Sequence, residues 1–183
     1  MFDESIKYIE TFLSQIKRYS KIDKRVEALA YIGLASSYVE KGIKGETGGY
    51  YNKAKSYFET ASRLLRDSDL LNISISSGLG FVYLKLGDHI EAIKSLEKGL
   101  KRYPLYKFKK EYLDILTNLG YAYLDKKDFL QAKEYFTKAL EVSRFDCCSS
   151  SSLSIYLGLA SSYRELGEYE QVLKYLNMAL KDY

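Results

Sequence analysis

The sequence of 183 residues contains no tryptophan, one proline, one histidine and two cysteines. The cysteines, Cys147 and Cys148, are adjacent, which excludes a framework of structural disulfides and does not match the spacing of a zinc site. No set of histidine, cysteine and carboxylate residues has the spacing of metal ligands. We therefore expect no metal and no cofactor, and the cysteine usage predicts a reducing compartment such as the cytoplasm.

Long apolar runs and a strong charge bias are also missing. No stretch approaches the roughly 20 apolar residues of a membrane span, and the acidic start MFDES lacks the basic-then-apolar order of a signal peptide. The net charge of +4 is mild. We expect a cytoplasmic protein without membrane contact, whose length suits one domain with a sizeable core.

What the sequence does contain is a pattern that recurs about every forty residues. In residues 73–106, two amphipathic stretches flank the turn residues Gly87 and Asp88, and Pro104 closes the segment. Helical periodicity on both sides of a Gly-Asp turn predicts a helical hairpin. Small residues mark the closest approach of the two helices, and with their larger neighbours they recur in four copies: Leu34, Ala35, Tyr38, Gly42, Ala54, Phe58 and Ala61; Leu79, Gly80, Tyr83, Gly87, Ala92, Leu96 and Gly99; Leu119, Gly120, Tyr123, Ala132, Phe136 and Ala139; Leu159, Ala160, Tyr163, Gly167, Val172, Leu176 and Ala179.

This pattern resembles the tetratricopeptide repeat (TPR), a helix-turn-helix unit of about 34 residues. The resemblance implies an all-α protein, in which antiparallel helical hairpins form an α-solenoid as a single domain over residues 1–183. We place the repeats at 28–68, 73–106, 113–146 and 153–183. The resemblance also implies a non-catalytic module that binds another protein or a peptide, but a fold does not identify a partner.

Residues 1–19 align with the second helix of a hairpin whose first helix is missing. Their apolar stripe has helical spacing and consists of Ile6, Ile9, Leu13 and Ile16. Phe12 stands where every full repeat has a small residue, which suits an end without a preceding helix. We expect Ile9 and Phe12 to lie at this uncovered end, where a second copy of the chain could form a homodimer.

The turns of the hairpins carry helix-capping signals. Asp23 is a plausible N-cap of the first full hairpin, and Asp88 and Asp128 stand three residues before Glu91 and Gln131 in capping-box spacing. The first hairpin instead has an insertion at its turn, IKGETGG at 43–49. We expect this insertion to be a surface loop that folding does not need.

A catalytic role finds little support in these residues. The single histidine, His89, occupies a repeat position filled elsewhere by Tyr51, Phe129 and Tyr169, so it is expected to pack. A general base needs a partner and a pocket, and the sequence shows neither. We therefore expect no enzymatic activity.

The inner face of the solenoid is the expected binding site. In the family, first helices supply the side chains of this face, and large apolar residues there that the hairpin core does not need often mark a contact site. The expected groove residues are Phe81, Leu84, Asn118, Tyr121 and Leu124. Single surface hydrophobes are the alternative explanation.

The family's carboxylate clamp, which grips acidic C-terminal tails through lysine, arginine and asparagine, is not matched. The corresponding positions hold Ile32, Ser36, Gly78, Asp114 and Asn118. The groove of peptide-pheromone receptors is rich in asparagine, and Asn118 alone gives that likeness little support.

Two basic segments join a second helix to the following first helix. Their cations should share one edge of the solenoid and comprise Lys17, Arg18, Lys101, Arg102, Lys107, Lys109 and Lys110. An acidic partner or nucleic acid could bind such an edge, although lysines near helix C-termini are favourable without any ligand. Two alternatives to groove binding therefore stay open: nucleic-acid binding at this edge, and a self-assembling scaffold that uses the solenoid ends.

Overall fold

A computed structural model of the chain describes residues 2–16, 23–45, 49–102, 109–144 and 152–181, except for the side chains of Phe2, Arg102 and Lys109. Helices account for nearly all of these residues, and no strand occurs within these ranges. They are α1 (Phe2–Ile16), α2 (Lys24–Ile43), α3 (Tyr50–Leu64), α4 (Leu71–Lys85), α5 (His89–Arg102), α6 (Lys109–Asp125), α7 (Phe129–Ser143), α8 (Ser152–Glu165) and α9 (Tyr169–Lys181). The predicted all-α class is confirmed.

The helices pack as four hairpins: α2 with α3, α4 with α5, α6 with α7 and α8 with α9. Each second helix also contacts the first helix of the next hairpin, and the first helices α2, α4, α6 and α8 contact one another in order. Helix α1 packs on α2 as a second helix without its own first helix. This is the predicted solenoid, in which each unit contacts its neighbours and no central core exists.

Small residues allow the two helices of a hairpin to approach. A Cβ atom added at Gly80 would lie 2.3 Å from the Leu96 side chain, and one at Gly120 would lie 2.7 Å from the Phe136 ring. Both distances are too short for real contacts, so a larger residue would force the helices apart. The facing residues Leu96 and Phe136 are fully buried.

Aspartates cap the helices where the sequence predicts them. The carboxylate of Asp23 accepts a hydrogen bond from the Arg25 backbone N–H at 2.9 Å, which satisfies a donor that the first turn of a helix leaves free. Asp88 and Asp128 accept the N–H groups of Glu91 and Gln131, each at 3.2 Å.

The insertion in the first hairpin is shorter than predicted. Helix α2 continues to Ile43, the first residue of the predicted insertion, because its last turn still packs against the hairpin. Gly42, in that turn, would place a Cβ 2.7 Å from the Tyr51 ring. The chain leaves the helix at Lys44, residues 46–48 are outside the described ranges, and Gly49 enters α3 with a φ of 65°.

Helix α1 is attached by apolar contacts and by one ion pair that sequence reasoning missed. Ile6 and Leu13 are buried, and Ile9 lies against Gly33 of α2. The ammonium of Lys41, a buried residue, donates a hydrogen bond of 2.6 Å to Oδ1 of Asp3. This pair joins the ends of α1 and α2, and it is invisible in a periodicity analysis because its members are 38 positions apart.

Tyrosines explain how the hairpins pack without tryptophan. In the first, third and fourth hairpins a tyrosine of the first helix stacks on one of the second, with ring centroids 5.3–5.6 Å apart: Tyr38 with Tyr57, Tyr123 with Tyr135, and Tyr163 with Tyr175. Burial raises the pKa of Tyr38, Tyr57, Tyr123, Tyr135 and Tyr163. Lysine ammonium groups stand over several of these rings, as Lys133 does over Tyr163 at 5.2 Å.

Candidate functional site

The first helices α2, α4 and α6 lie side by side and form the floor of a groove with a volume of about 980 Å³. One residue of α3 and one of α8 complete it. The lining consists of Ile32, Ser36, Val39, Glu40, Ile43, Phe58, Ser74, Ser77, Gly78, Phe81, Leu84, Lys85, Lys110, Glu111, Asp114, Thr117, Asn118, Tyr121, Asp125 and Ser154. A concave surface of this size is large enough for several residues of a peptide.

Four of the five predicted groove residues line this surface: Phe81, Leu84, Asn118 and Tyr121. Leu124 does not, because it packs against the core formed by α6, α7 and α8. The helical period alone does not explain the difference, because Leu84 lies three residues after Phe81, at the equivalent position of α4, and does line the groove. Leu124 is instead held by its neighbours in α7 and α8, while Asp125 takes its place in the lining.

Sequence reasoning missed several lining residues near the helix ends, among them Ile43, Ser74, Lys85, Glu111 and Asp125. The signal that finds them is the same helical spacing, continued by one turn beyond the predicted stretch in each direction. Ile43 was missed for a second reason, since the sequence places it in the insertion.

The groove has two halves of different chemistry. Because each hairpin reverses the chain, the first helices run in the same direction, so their N-terminal turns share one side of the groove. That polar half is lined mainly by hydroxyl, amide and charged side chains, with Ile32 as its apolar member: Ser74, Ser77, Lys110, Glu111, Asp114, Thr117 and Asn118. The apolar half, at the C-terminal turns, carries Val39, Ile43, Phe81, Leu84 and Tyr121 together with Ser36 and the charged Glu40, Lys85 and Asp125.

Phe81 and Tyr121 differ in how free they are to meet a ligand. The Phe81 ring meets Tyr51 edge-on at 6.5 Å, and the Lys85 ammonium stands over it at 5.3 Å. Tyr121 is more firmly built into the fold. Its ring packs edge-on against Phe136 at 5.0 Å and its hydroxyl donates to the Ser154 carbonyl at 2.8 Å. Burial raises the pKa of Tyr121.

Asp114 is the central carboxyl group of the polar half. Burial raises its pKa, the charge of Lys110 one turn earlier partly offsets this effect, and the neighbouring Glu111 adds to it. Glu111 itself lies 3.4 Å from the hydroxyl of Ser74, which donates to it. The site therefore contains a carboxylate that its surroundings stabilise poorly.

The five positions that correspond to the carboxylate clamp all line the groove, but their chemistry differs from the clamp's. Ile32, Ser36 and Gly78 offer no charge, and Asp114 is acidic where the clamp has a cation. The geometry of the family's inner face is thus kept while the residues that grip an acidic tail are absent from it.

His89 occupies a packing position, in agreement with its repeat counterparts. Its Nδ1 atom is buried and lies 3.7 Å from Oδ2 of Asp125, which is too long for a hydrogen bond. Among the described side chains, this atom has no hydrogen-bond partner. Within the same ranges, no group of three or more His, Cys, Asp or Glu side chains is placed to hold a metal ion.

Most of the predicted basic edge falls beyond what the structure describes. Lys17, Arg18 and Lys107 lie outside the described residues, and Arg102 and Lys109 are described only by their backbone. Lys101 is exposed, with its ammonium 3.8 Å from Glu97. Lys110 is also exposed, and it belongs to the groove.

The two ends of the solenoid expose apolar side chains to different extents. At α1, Phe12 is 40% exposed, while Ile9 is partly buried against α2 and is not free at the end. At α9 the exposed apolar residues have helical spacing and are Tyr169, Leu173, Leu176 and Leu180. None of the described helices covers this second face.

The repeat pattern, the paired helices and the groove agree with a comparison to known families. The sequence model of the tetratricopeptide repeat family matches residues 70–144 and 111–183, which together span more than half of the chain. The chain belongs to the tetratricopeptide repeat family. The match starts at residue 70, whereas the structure shows the hairpin of α2 and α3 before it.

Solved TPR-like structures resemble the whole chain. BtubC (BKLC) from P. vanneervenii has a TM-score of 0.84 at 16% identity, over 99% of this chain and 72% of that one. The TPR-like repeats of a putative kinesin light chain from Podosopora anserina have a TM-score of 0.74 at 17% identity, over 99% of this chain and 86% of that one. The APC/C hetero-tetramer Cut9-Hcn1 has a TM-score of 0.75 at 21% identity, over 99% of this chain and 30% of that one. At such identities the likeness shows the fold alone, and no curated protein matches the sequence.

None of the helices in the described ranges combines the length and the apolar character that crossing a bilayer requires.

Proposed function

We propose that this TPR protein is a non-catalytic binding module that holds a peptide, or an extended segment of a partner protein, in the groove over α2, α4 and α6. The observation that carries the proposal is the apolar half of the groove. There Phe81 and Leu84, on adjacent turns of α4, are only partly buried and face the open volume. Aromatic side chains such as Phe81 are enriched in the cores of protein interfaces, where a few residues supply most of the binding free energy.

The rest of the lining supports the same function. Val39 and Ile43 of α2 extend the apolar surface, and the hydroxyl and amide groups of the polar half can bond a peptide backbone. The groove is formed by rigid helices, so a ligand does not have to order it. Preformed sites lose less free energy when they bind.

A library of random peptides displayed on phage tests the proposal. We expect selection on the native chain to enrich peptides whose binding is weakened at least about tenfold by the double substitution Phe81→Ala and Leu84→Ala. Tyr121 is left intact because it packs on Phe136 and bonds Ser154, so its truncation would damage the fold.

The matched control is Ile90→Ala with Leu130→Ala. Both side chains are highly exposed and lie outside the groove, at the same position of two successive hairpins. Circular dichroism should show equal helicity in both double variants. If the selected peptides bind the Phe81→Ala, Leu84→Ala variant as tightly as the native chain, the binding site is not in the groove. If selection enriches no peptide, the chain does not bind peptides of this kind.

A cytoplasmic location and a role as a scaffold complete the proposal. The adjacent cysteines support the first, since a disulfide framework is missing from the sequence. The second rests on the family, whose repeats generally hold proteins together and do not catalyse reactions.

Self-association through a solenoid end is the second candidate function. The apolar stripe of α9 favours it, because its four residues are exposed although they have the spacing of a helix–helix contact. Nucleic-acid binding at the basic edge has no comparable support in the described residues. It would show itself by affinity for a random DNA oligonucleotide that falls steeply with salt concentration.

A further inference from the structure

The groove is acidic although the chain as a whole is basic. Among the residues that the structure describes, its lining contains four carboxyl groups and two ammonium groups, while the chain carries a net charge of +4. These groups are Glu40, Glu111, Asp114 and Asp125 against Lys85 and Lys110. A concave surface with an excess of negative charge strengthens the electrostatic potential inside it, so the groove should attract cations.

The two lysines leave this excess in place. The ammonium of Lys85 stands over the Phe81 ring, in the apolar half. Lys110 is exposed at the start of α6, and its effect on the pKa of Asp114 is smaller than that of burial. Asp114 accepts no hydrogen bond from a described residue. A cation that entered the polar half would therefore meet a carboxylate to which no described residue donates a hydrogen bond.

The two halves of the groove are separated by a distance that a short peptide spans. Asp114 and Tyr121 are seven residues apart on α6, which corresponds to about 10 Å along the helix axis. A peptide in the extended polyproline II conformation advances about 3.1 Å per residue and has three residues per turn, so side chains three positions apart span about this distance and face the same wall. Phe81 and Leu84 of α4 lie in the same half of the groove as Tyr121.

We infer that the groove selects an extended peptide with a basic residue, which pairs with Asp114 in the polar half, and an apolar residue three positions away, which packs against Phe81 and Leu84. This inference rests on the proposed function and names the chemistry of the partner. It assigns the groove a charge preference opposite to that of the carboxylate clamp. Arginine suits the site best, because its planar group can bond Asp114 while its remaining donors meet neighbouring hydroxyl and amide groups.

Defined peptides test the charge preference. The probes are GSGRSGFSGS and the reversed order GSGFSGRSGS, acetylated, amidated and fluorescently labelled, each with glutamine and glutamate versions in place of arginine. In fluorescence anisotropy, we expect one arginine peptide to bind at least about tenfold more tightly than its glutamine version, and the glutamate version to bind more weakly still. The arginine preference should weaken as salt is added.

Two variants locate the charge that recognises the peptide. Of the two probe orders, the one that binds more tightly is used here. Asp114→Asn should abolish its tighter binding with arginine than with glutamine. Glu170→Gln should preserve this difference, because Glu170 is an exposed residue of α9 outside the groove. Because burial disfavours the charged form of Asp114, Asp114→Asn should not lower the melting temperature. Lost binding by this variant can therefore be separated from lost folding.

Several results would overturn the inference. They are a glutamate peptide that binds as tightly as the arginine peptide, an arginine preference that survives Asp114→Asn, or no binding of any probe at about 1 mM. The proposed function is judged separately by the random library. If library peptides depend on Phe81 and Leu84 but carry acidic or neutral residues, the groove is still the binding site and only its charge preference is wrong.

Discussion

Helices α7 and α9 occupy the same place in two successive repeats, yet only one of them is covered. Phe136 and Leu140 of α7 are 0% and 6% exposed, whereas their counterparts Leu176 and Leu180 of α9 are 38% and 76% exposed. Helix α8, the first helix of the next hairpin, packs on α7, whereas no described helix of a following hairpin packs on α9. The sequence of α9 thus has the apolar pattern of a covered helix. The pattern encodes the ability to meet a neighbour, but it does not show that the neighbour is present.

The covered junctions show how such a neighbour is accommodated. Helix α8 has a glycine opposite Phe136, where a Cβ at Gly158 would lie 2.4 Å from the ring. The same repeat position holds Gly78 opposite Phe58 at 2.3 Å and Gly33 opposite Ile9 at 3.3 Å. At these three junctions a large side chain of the second helix therefore fits over a glycine of the next first helix, whereas the α5–α6 junction has Asn118 at this position. Leu176 is the corresponding large side chain at the uncovered end.

The largest expected effect separates α7 from α9 directly. Phe136→Ala should reduce the free energy of unfolding by about 3–5 kcal/mol, because it opens a cavity in the buried α7–α8 junction. Leu176→Ala should cost about 1 kcal/mol or less, since its side chain is already partly in water. Urea denaturation followed by circular dichroism measures both. Equal losses would mean that Leu176 is covered in solution.

A smaller loss of stability is expected when a methyl group is added at Gly158, opposite the Phe136 ring. Gly158→Ala should destabilise the chain by about 1–3 kcal/mol through overpacking, although helix propensity alone favours alanine by about 1 kcal/mol. Thermal unfolding provides the measurement. The matched control is Gly33→Ala, where the facing atom is the flexible end of Ile9, so the variant should lose less.

The double variant Gly158→Ala with Phe136→Leu sharpens this test. The smaller leucine should relieve the overpacking, so the losses of the two single variants should not add. Additive losses would show that the two residues do not interact in the way that the junction requires.

The fold was predictable from the sequence because every copy repeats the same steric requirement. The repeat positions of small residues such as Gly80 and Gly120 can be recognised in the sequence alone, because larger side chains there would keep the two helices of the hairpin apart. The groove was predictable in part for the same reason, because helical spacing places Phe81, Leu84, Asn118 and Tyr121 on one face.

The remainder depends on contacts between residues that are distant in the sequence. The pair of Lys41 with Asp3 joins different helices, and no local pattern announces it. The orientation of Leu124 toward the core depends on α7 and α8, and the extension of α2 to Ile43 depends on the fit of Gly42 against Tyr51. The excess of acid in the groove appears only when three helices are brought together.

At the other end of the solenoid, a modest effect is expected from the ion pair that holds α1. Asp3→Asn should remove the charge-assisted hydrogen bond between Asp3 and the buried Lys41, so α1 should exchange its amide hydrogens faster while α4–α9 stay unchanged. Hydrogen exchange with mass spectrometry measures this difference, and Glu10→Gln on the same helix is the control. Equal exchange in both variants would show that the pair of Asp3 with Lys41 does not help to hold α1.

The pair also gives α1 a dependence on pH. Hydrogen bonding to Lys41, together with its charge, lowers the pKa of Asp3 from its ordinary value of 3.8. A carboxyl group with a lowered pKa stabilises the folded state above its unfolded pKa, and this contribution is lost as pH falls through the folded value. Protection of α1 should therefore decline below about pH 4, and in Asp3→Asn it should decline less.

The smallest expected effect on stability belongs to the uncovered face of α9. Leu173→Glu with Leu180→Glu should change the free energy of unfolding by no more than about 0.5 kcal/mol per site, because both side chains are already exposed. Its effect on self-association should be much larger. If a second copy covers α9, light scattering at micromolar concentration should show a dimer for the native chain and a monomer for this variant, since charges on a contact stripe lose their hydration there.

The comparison variant for this test is Phe12→Glu, which places the same charge at the α1 end. Helix α9 exposes more large apolar side chains than helix α1 does around Phe12, and Ile9 of α1 already packs against Gly33 of α2. We therefore expect Phe12→Glu to keep the dimer. A dimer that survives the α9 substitutions but not Phe12→Glu would move the interface to α1, and a monomeric native chain would mean that neither end binds a second copy. In that last case the exposure of Leu173 and Leu180 is tolerated in solution, and the apolar spacing of α9 reflects the repeat sequence and not a contact with a second copy.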